Sequence, residues 1–171
     1  VILSIMLSSL SIGTIITMSS THWLMAWAGL ELNTLSIIPI ITKHHYPRST
    51  EATTKYFLTQ AAASAMLLFA STTNAWFTGT WDISQLTHQP SCIMLTMALA
   101  MKLGLAPLHF WLPEVLQGTS LSTALIITTW QKLAPMALMF LTHNSLNPMI
   151  LMTLGLTSAL VGGWGGLNQT Q

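Results

Sequence analysis

Ser91-Cys-Ile-Met-Leu-Thr-Met-Ala-Leu-Ala-Met-Lys102-Leu-Gly104-Leu-Ala-Pro107-Leu-His109-Phe-Trp-Leu112 holds a lysine near its centre and a proline shortly after it. Its length and apolarity suit a membrane-crossing helix, which needs about 20 such residues. Pro107 cannot donate to the helical ladder, so the span must break there and leave the carbonyl of Leu103 without its usual partner. Two other apolar runs carry the same anomaly: Trp23–Ile41 contains Glu31, and Leu121–Leu141 contains Lys132 followed by Pro135. The whole chain has only five Lys or Arg and four Asp or Glu among 171 residues. A charge at the bilayer centre costs roughly 2.5–3.5 kcal/mol on insertion scales, so three of them require a compensating arrangement.

The composition, 51% hydrophobic and 5% charged, excludes a soluble domain, which carries about 25% charged residues. Several apolar runs of helical length predict an all-α polytopic membrane protein rather than a barrel of short alternating strands. A net charge of +1 with no basic run gives nucleic acid nothing to bind. The single cysteine, Cys92, excludes an intrachain disulfide. His22, His44, His45, His88 and His143 are placed in loops without metal-binding spacing, so no metal is expected. The chain opens on Val1 with no basic region ahead of an apolar core and ends in a polar stretch, so it reads as part of a longer protein.

Six spans are predicted, at about Val1–Met18, Trp23–Ile41, Lys55–Trp76, Ser91–Leu112, Leu121–Leu141 and Pro148–Val161, within one domain covering residues 1–171. Alternation puts loops 42–54 and 113–120 on one side, with Lys43, Arg48 and the adjoining Lys55, and leaves the opposite loops without Lys or Arg. The positive-inside rule turns the first side to the cytoplasm or matrix. Trp23, Trp76, Trp81 and Trp111 fall near span ends, where aromatic belts lie. Ser49 or Thr50 is expected to cap a helix with Glu51 in its first turn. Gly162-Gly-Trp-Gly-Gly166 is expected to be a flexible loop.

Broken helices beside buried charges are how membrane transporters build ion sites. A freed carbonyl in lipid needs a partner, and water or a lysine ammonium can serve. Burial disfavours an ammonium and a nearby carboxylate favours it, so Glu31 could switch Lys102 between protonated and neutral forms. Two charges about 10 Å apart at an effective dielectric near 20 interact by roughly 1.7 kcal/mol, enough for such gating without contact. His109 titrates near neutrality and could relay protons between the lysines or from the aqueous side. The alternative is a pair of kinks whose charges lock helices together.

The segments Trp23–Asn33, Pro47–Ala52, Lys55–Gln60, Met97–Glu114, Thr129–Pro135 and Gly162–Gln171 together resemble the antiporter-like membrane-arm subunits of respiratory complex I, NADH:ubiquinone oxidoreductase, related to Mrp-type cation/proton antiporters. The resemblance implies an antiporter-like helical bundle built from inverted five-helix repeats, with spans one to five as the first repeat and span six opening the second. It implies a proton-transfer chain of Glu31, Lys102 and Lys132 with His109 beyond the break, and a second-repeat lysine beyond Gln171. It also implies proton translocation across the mitochondrial inner membrane, coupled to NADH oxidation by ubiquinone. NAD, FMN, iron–sulfur clusters and ubiquinone would belong to other subunits, and the partners would be other membrane-arm subunits and the lipid bilayer. A stand-alone cation/proton antiporter subunit and a non-pumping scaffold are the alternatives.

Overall fold

The computed structural model describes residues 1–170. Its helices are α1 (Ile2–Ser19), α2 (Trp23–Ile41), α3 (Pro47–Thr78), α4 (Gln89–Leu103), α5 (Trp111–Gln117), α6 (Leu121–Thr129), α7 (Leu133–Leu141) and α8 (Pro148–Leu167). A single 3-10 turn at Trp130–Lys132 joins α6 to α7, so the fifth span is one rod with a tightened middle. Four segments are long and apolar enough to cross a membrane: α1, α2, the α6–α7 rod and α8. The other two predicted spans are also helical. α4 is cut to 15 residues by the break, and α3 is 32 residues long with many Thr and Ser among them.

Those polar residues of α3 face inward. Ser49, Thr53, Tyr56, Gln60, Ser64, Ser71 and Asn74 are all buried, at spacings of three, four and seven that put them along one stripe. Hydroxyls in this apolar setting satisfy themselves on the preceding turn: Thr53 donates to the Ser49 carbonyl at 2.7 Å and Thr96 to the Cys92 carbonyl at 2.6 Å. Asn74 accepts from the backbone N–H of Thr87 and of His88, both at 3.4 Å, and so fastens the 77–90 connection. That connection also pairs with the α1–α2 turn, with the Trp23 N–H on the Trp81 carbonyl and the Ile83 N–H on the Thr21 carbonyl.

Buried apolar side chains form two clusters. One joins Trp23, Leu30, Leu67, Leu95, Leu99 and Leu138; the other joins Leu10, Ile37, Tyr56, Trp111, Val115 and Ile127. Outward faces are apolar as well, with Phe69, Trp76, Leu125, Phe140 and Leu160 more than half exposed, as a surface in contact with hydrocarbon requires.

α1 and α2 approach closely because both present glycine at the crossing. A Cβ on Gly29 would lie 2.3 Å from Thr17 Oγ1 and 2.9 Å from the Gly13 carbonyl oxygen. Small residues of this kind let helix backbones meet where lipid supplies no hydrophobic drive for association.

Several expectations are corrected. The third helix starts at Pro47 with Tyr46 at the cap position, so Ser49 and Thr50 lie inside it. Proline is suited to the first helical position because its missing N–H would be unpaired there anyway. Glu51 therefore falls in the second turn and pairs with Lys55 at 2.9 Å. Residues 113–120 are not simply a loop, since α5 occupies most of them. Gly162–Gly166 is helical, and α8 runs on to Leu167. An apolar segment at membrane depth must pair its own backbone, and that requirement outweighs the weak helix propensity of glycine. Trp23 is wholly buried and Trp111 nearly so; both are core residues, not members of a lipid-facing belt.

Candidate functional site

The break expected at Pro107 lies between Leu103 and Trp111. Gly104 ends α4 in the left-handed conformation, with φ of +75°, a region that only glycine visits at little cost. The chain then turns through 105–110 and re-enters a helix at Trp111.

Trp111 folds back over the break. Its Nε1 donates to the Met101 carbonyl at 3.1 Å, beside the Gly104 N–H that also reaches this oxygen at the end of α4. The same ring meets Tyr56 of α3 edge-on at 5.8 Å.

Lys132 approaches from the 3-10 turn of the facing rod. Its Nζ donates to the carbonyl of Leu103, the acceptor that Pro107 is expected to leave free. Its ammonium also lies 5.3 Å from the centroid of the Trp111 ring, within range for a cation–π attraction. Gly104 lies against this contact, its Cβ position 3.5 Å from Lys132 Nζ, an ordinary van der Waals distance.

Lys102, one residue before Leu103, is 5% exposed. Its ammonium makes no hydrogen bond or ion pair with another described residue. Lys102 and Lys132 line a common cavity with Leu30, Asn33, Tyr56 and Gln131. The cavity offers about 10 Å³ to the centre of a water-sized sphere, room for about one water. Asn33 Oδ1 and Gln131 Nε2 are buried without a protein partner. The cavity lies where the two apolar clusters meet, with Leu30 from one and Tyr56, Trp111 and Ile127 from the other.

The two lysines therefore converge at the broken helix, while Glu31 of α2 does not line the cavity they share. His109 does not line the cavity. It stands in the break with its ring stacked 4.5 Å from Phe110 and a buried, unpartnered Nδ1. Tyr56, Gln60 and Trp111 line the cavity but were not singled out from sequence as site residues. The four-residue spacing of Tyr56 and Gln60 within the polar stripe of α3 was the available signal.

A discontinuous membrane helix beside two lysines that share a small cavity defines an antiporter-like helical membrane protein. The chain belongs to the family described as NADH:quinone oxidoreductase/Mrp antiporter, transmembrane, which matches residues 20–171. It is 64% identical to NADH-ubiquinone oxidoreductase chain 2 of Oncorhynchus mykiss over 170 residues, 99% of this chain and 49% of the relative. It is 63% identical to the protein of that name from Xenopus laevis over 168 residues, 98% of this chain and 49% of the relative. The chain thus spans about half the length of these relatives. Its fold superimposes on a chain of respiratory complex I from Thermus thermophilus, solved with bound aureothin, with a TM-score of 0.90 and 27% identity. That match covers 98% of this chain and 40% of the other.

Proposed function

We propose that this chain is the part of a complex I membrane-arm subunit that carries the lysines of a proton path, in the mitochondrial inner membrane. The observation that carries the reading is Lys132 donating to the Leu103 carbonyl while Lys102, one residue away, shares its cavity. An ammonium that moved off that carbonyl would leave a free acceptor at the end of α4, so protonation of either lysine is tied to the geometry of the break. Lys102 and Lys132 hold the transferred proton, and Glu31 biases Lys102 by its charge. His109, away from the cavity but inside the break, exchanges protons toward the aqueous side. The first five spans form one five-helix repeat and α8 opens the next. Transfer of electrons from NADH to ubiquinone, and the NAD, FMN, iron–sulfur and quinone sites that it uses, belong to other subunits of the assembly.

The test is Lys132→Met in the intact complex, with protons translocated per NADH oxidised as the readout. The expected result is an assembled complex with lower stoichiometry or arrested turnover. Assembly with unchanged stoichiometry and turnover would overturn the reading. Failure of assembly alone would favour the scaffold reading.

A further inference from the structure

A second site lies at the other end of α2, away from the lysine cavity. α2 ends at Ile41, so Lys43 lies just past the apolar span, at the depth where lipid headgroups meet water. Two recesses meet there, and Ile40 and Lys43 line both. The first, about 380 Å³, has an apolar wall that includes Leu3, Met6, Pro39 and Ile40. The second, about 290 Å³, brings Lys43, His44, Tyr46 and Arg48 together with Ser49 and Ser120.

Charge and shape agree on what fits. Lys43 and Arg48 are exposed, and neither forms an ion pair among the described residues, where both ion pairs belong to Lys55. The nearest acidic groups, Glu51 one turn after Arg48 and Glu114 on α5, are both held by that lysine. The hydroxyl-lined recess therefore carries unpaired positive charge. A free anion would use that half and leave the apolar recess idle, whereas a lipid uses both. Loop charges place this end on the side where anionic headgroups attract basic residues.

We propose that the joined recesses bind an anionic phospholipid, with its phosphate between Lys43 and Arg48 and an acyl chain along the wall of Met6 and Pro39. Ser120 supplies a further polar contact to the headgroup, and Tyr46 stands at the interface beside His44, the ring centroids 5.9 Å apart.

The experiment uses the full-length protein in its native membrane assembly, purified in neutral detergent. It is given phosphatidylglycerol with a photoreactive group on the acyl chain, or phosphatidylcholine with the same tail. Labelled peptides are mapped by mass spectrometry. Phosphatidylglycerol is expected to label residues 2–6 and 39–43 in preference to phosphatidylcholine. Each of Lys43→Gln and Arg48→Gln should weaken that labelling about fivefold, and the pair about 30-fold, at roughly one basic residue's worth of headgroup attraction each. The Lys43→Arg/Arg48→Lys variant should retain it, which separates charge from fold. Equal labelling by both lipids, or labelling indifferent to the Gln variants, would overturn the site. So would an absence of label here, the result expected if a protein neighbour covers the recesses. Displacement by inorganic phosphate, beyond that caused by chloride at equal ionic strength, would point to free phosphate and overturn the lipid assignment.

Discussion

Lys132 donates a hydrogen bond from Nζ to the backbone carbonyl of Leu103, 29 residues earlier in the chain. The contact joins the 3-10 turn of one membrane rod to the broken end of another. A carbonyl released by a helix break in hydrocarbon has no water to turn to, so a side chain must take the place of the missing N–H. With a cation in that role, the shape of the break depends on where one ammonium stands.

Trp111 is expected to govern that position in two separable ways. Trp111→Phe keeps a ring face beside Lys132 and removes the N–H that reaches the Met101 carbonyl at 3.1 Å. It should cost about 0.5–1.5 kcal/mol of stability, the usual net worth of one hydrogen bond, since the Met101 carbonyl keeps the Gly104 N–H at 3.3 Å. Trp111→Leu removes the ring too and should cost about 0.5–2 kcal/mol more, as a desolvated cation–π contact is lost. Denaturation of the two purified variants measures the difference. Equal losses would show that the ring does nothing for Lys132.

Gly104 should not tolerate a side chain. The nearest atoms to an added Cβ are 3.5 Å away, so space is adequate and the penalty is conformational. At φ of +75°, Gly104→Ala is expected to lower stability by about 1–2 kcal/mol. Gly104→Val should be worse, because branching at Cβ stiffens the backbone further against this region. A thermal melt of Gly104→Ala that matches the parent would contradict the reading of this residue as a left-handed cap.

Much of the site was legible from residue identities. Glu31, Lys102 and Lys132 stood out because charge at the centre of an apolar run is costly, and the orphaned Leu103 carbonyl followed from Pro107 alone. Which of water, Lys102 or Lys132 filled that orphan was not legible. A partner 29 residues away depends on how two rods pack, and spacing within one span says nothing of it. Trp23 and Trp111 misled for a related reason: an indole near a span end suits a lipid interface and a packed core equally well. The glycines of 162–166 misled because propensities measured in water understate the penalty for leaving backbone unpaired in lipid. The inward stripe of α3 could have been found, since Tyr56, Gln60, Ser64, Ser71 and Asn74 recur on one helical face.

The salt links at the start of α3 should be weak and salt-sensitive. Lys55 reaches Glu114 on α5 at 3.1 Å and Glu51 on its own helix at 2.9 Å, and all three are substantially exposed. Lys55 holds the Glu51 carboxyl below its ordinary range by hydrogen bonding and charge. Glu51 therefore favours the folded state at pH above the ordinary carboxylate value, and its help disappears as pH falls through the lowered one. Glu114→Gln should produce a slightly larger drop in melting temperature than Glu51→Gln, because only Glu114 ties two helices together. Both drops should shrink toward zero in 1 M salt. A drop that persists unchanged in high salt would mean that the substitutions act through something other than these ion pairs.

The α1–α2 crossing offers the sharpest contrast between two chemically identical changes. At Gly29 a methyl group would meet Thr17 Oγ1 at 2.3 Å and the Gly13 backbone oxygen at 2.9 Å, so a turn of the Thr17 side chain cannot relieve the clash alone. The two helices must separate, and Gly29→Ala is expected to cost about 1–3 kcal/mol, as for overpacked cores. That separation would also move Asn33, four residues along α2, away from the lysine cavity. Gly155 in α8 has nothing within 4 Å of its Cβ position. Gly155→Ala should therefore be neutral or stabilising by up to about 1 kcal/mol, since alanine is the better helix former. Melting temperatures of the two variants in one detergent decide the matter. Equal and small effects would mean that α1 and α2 do not meet at Gly13 and Gly29.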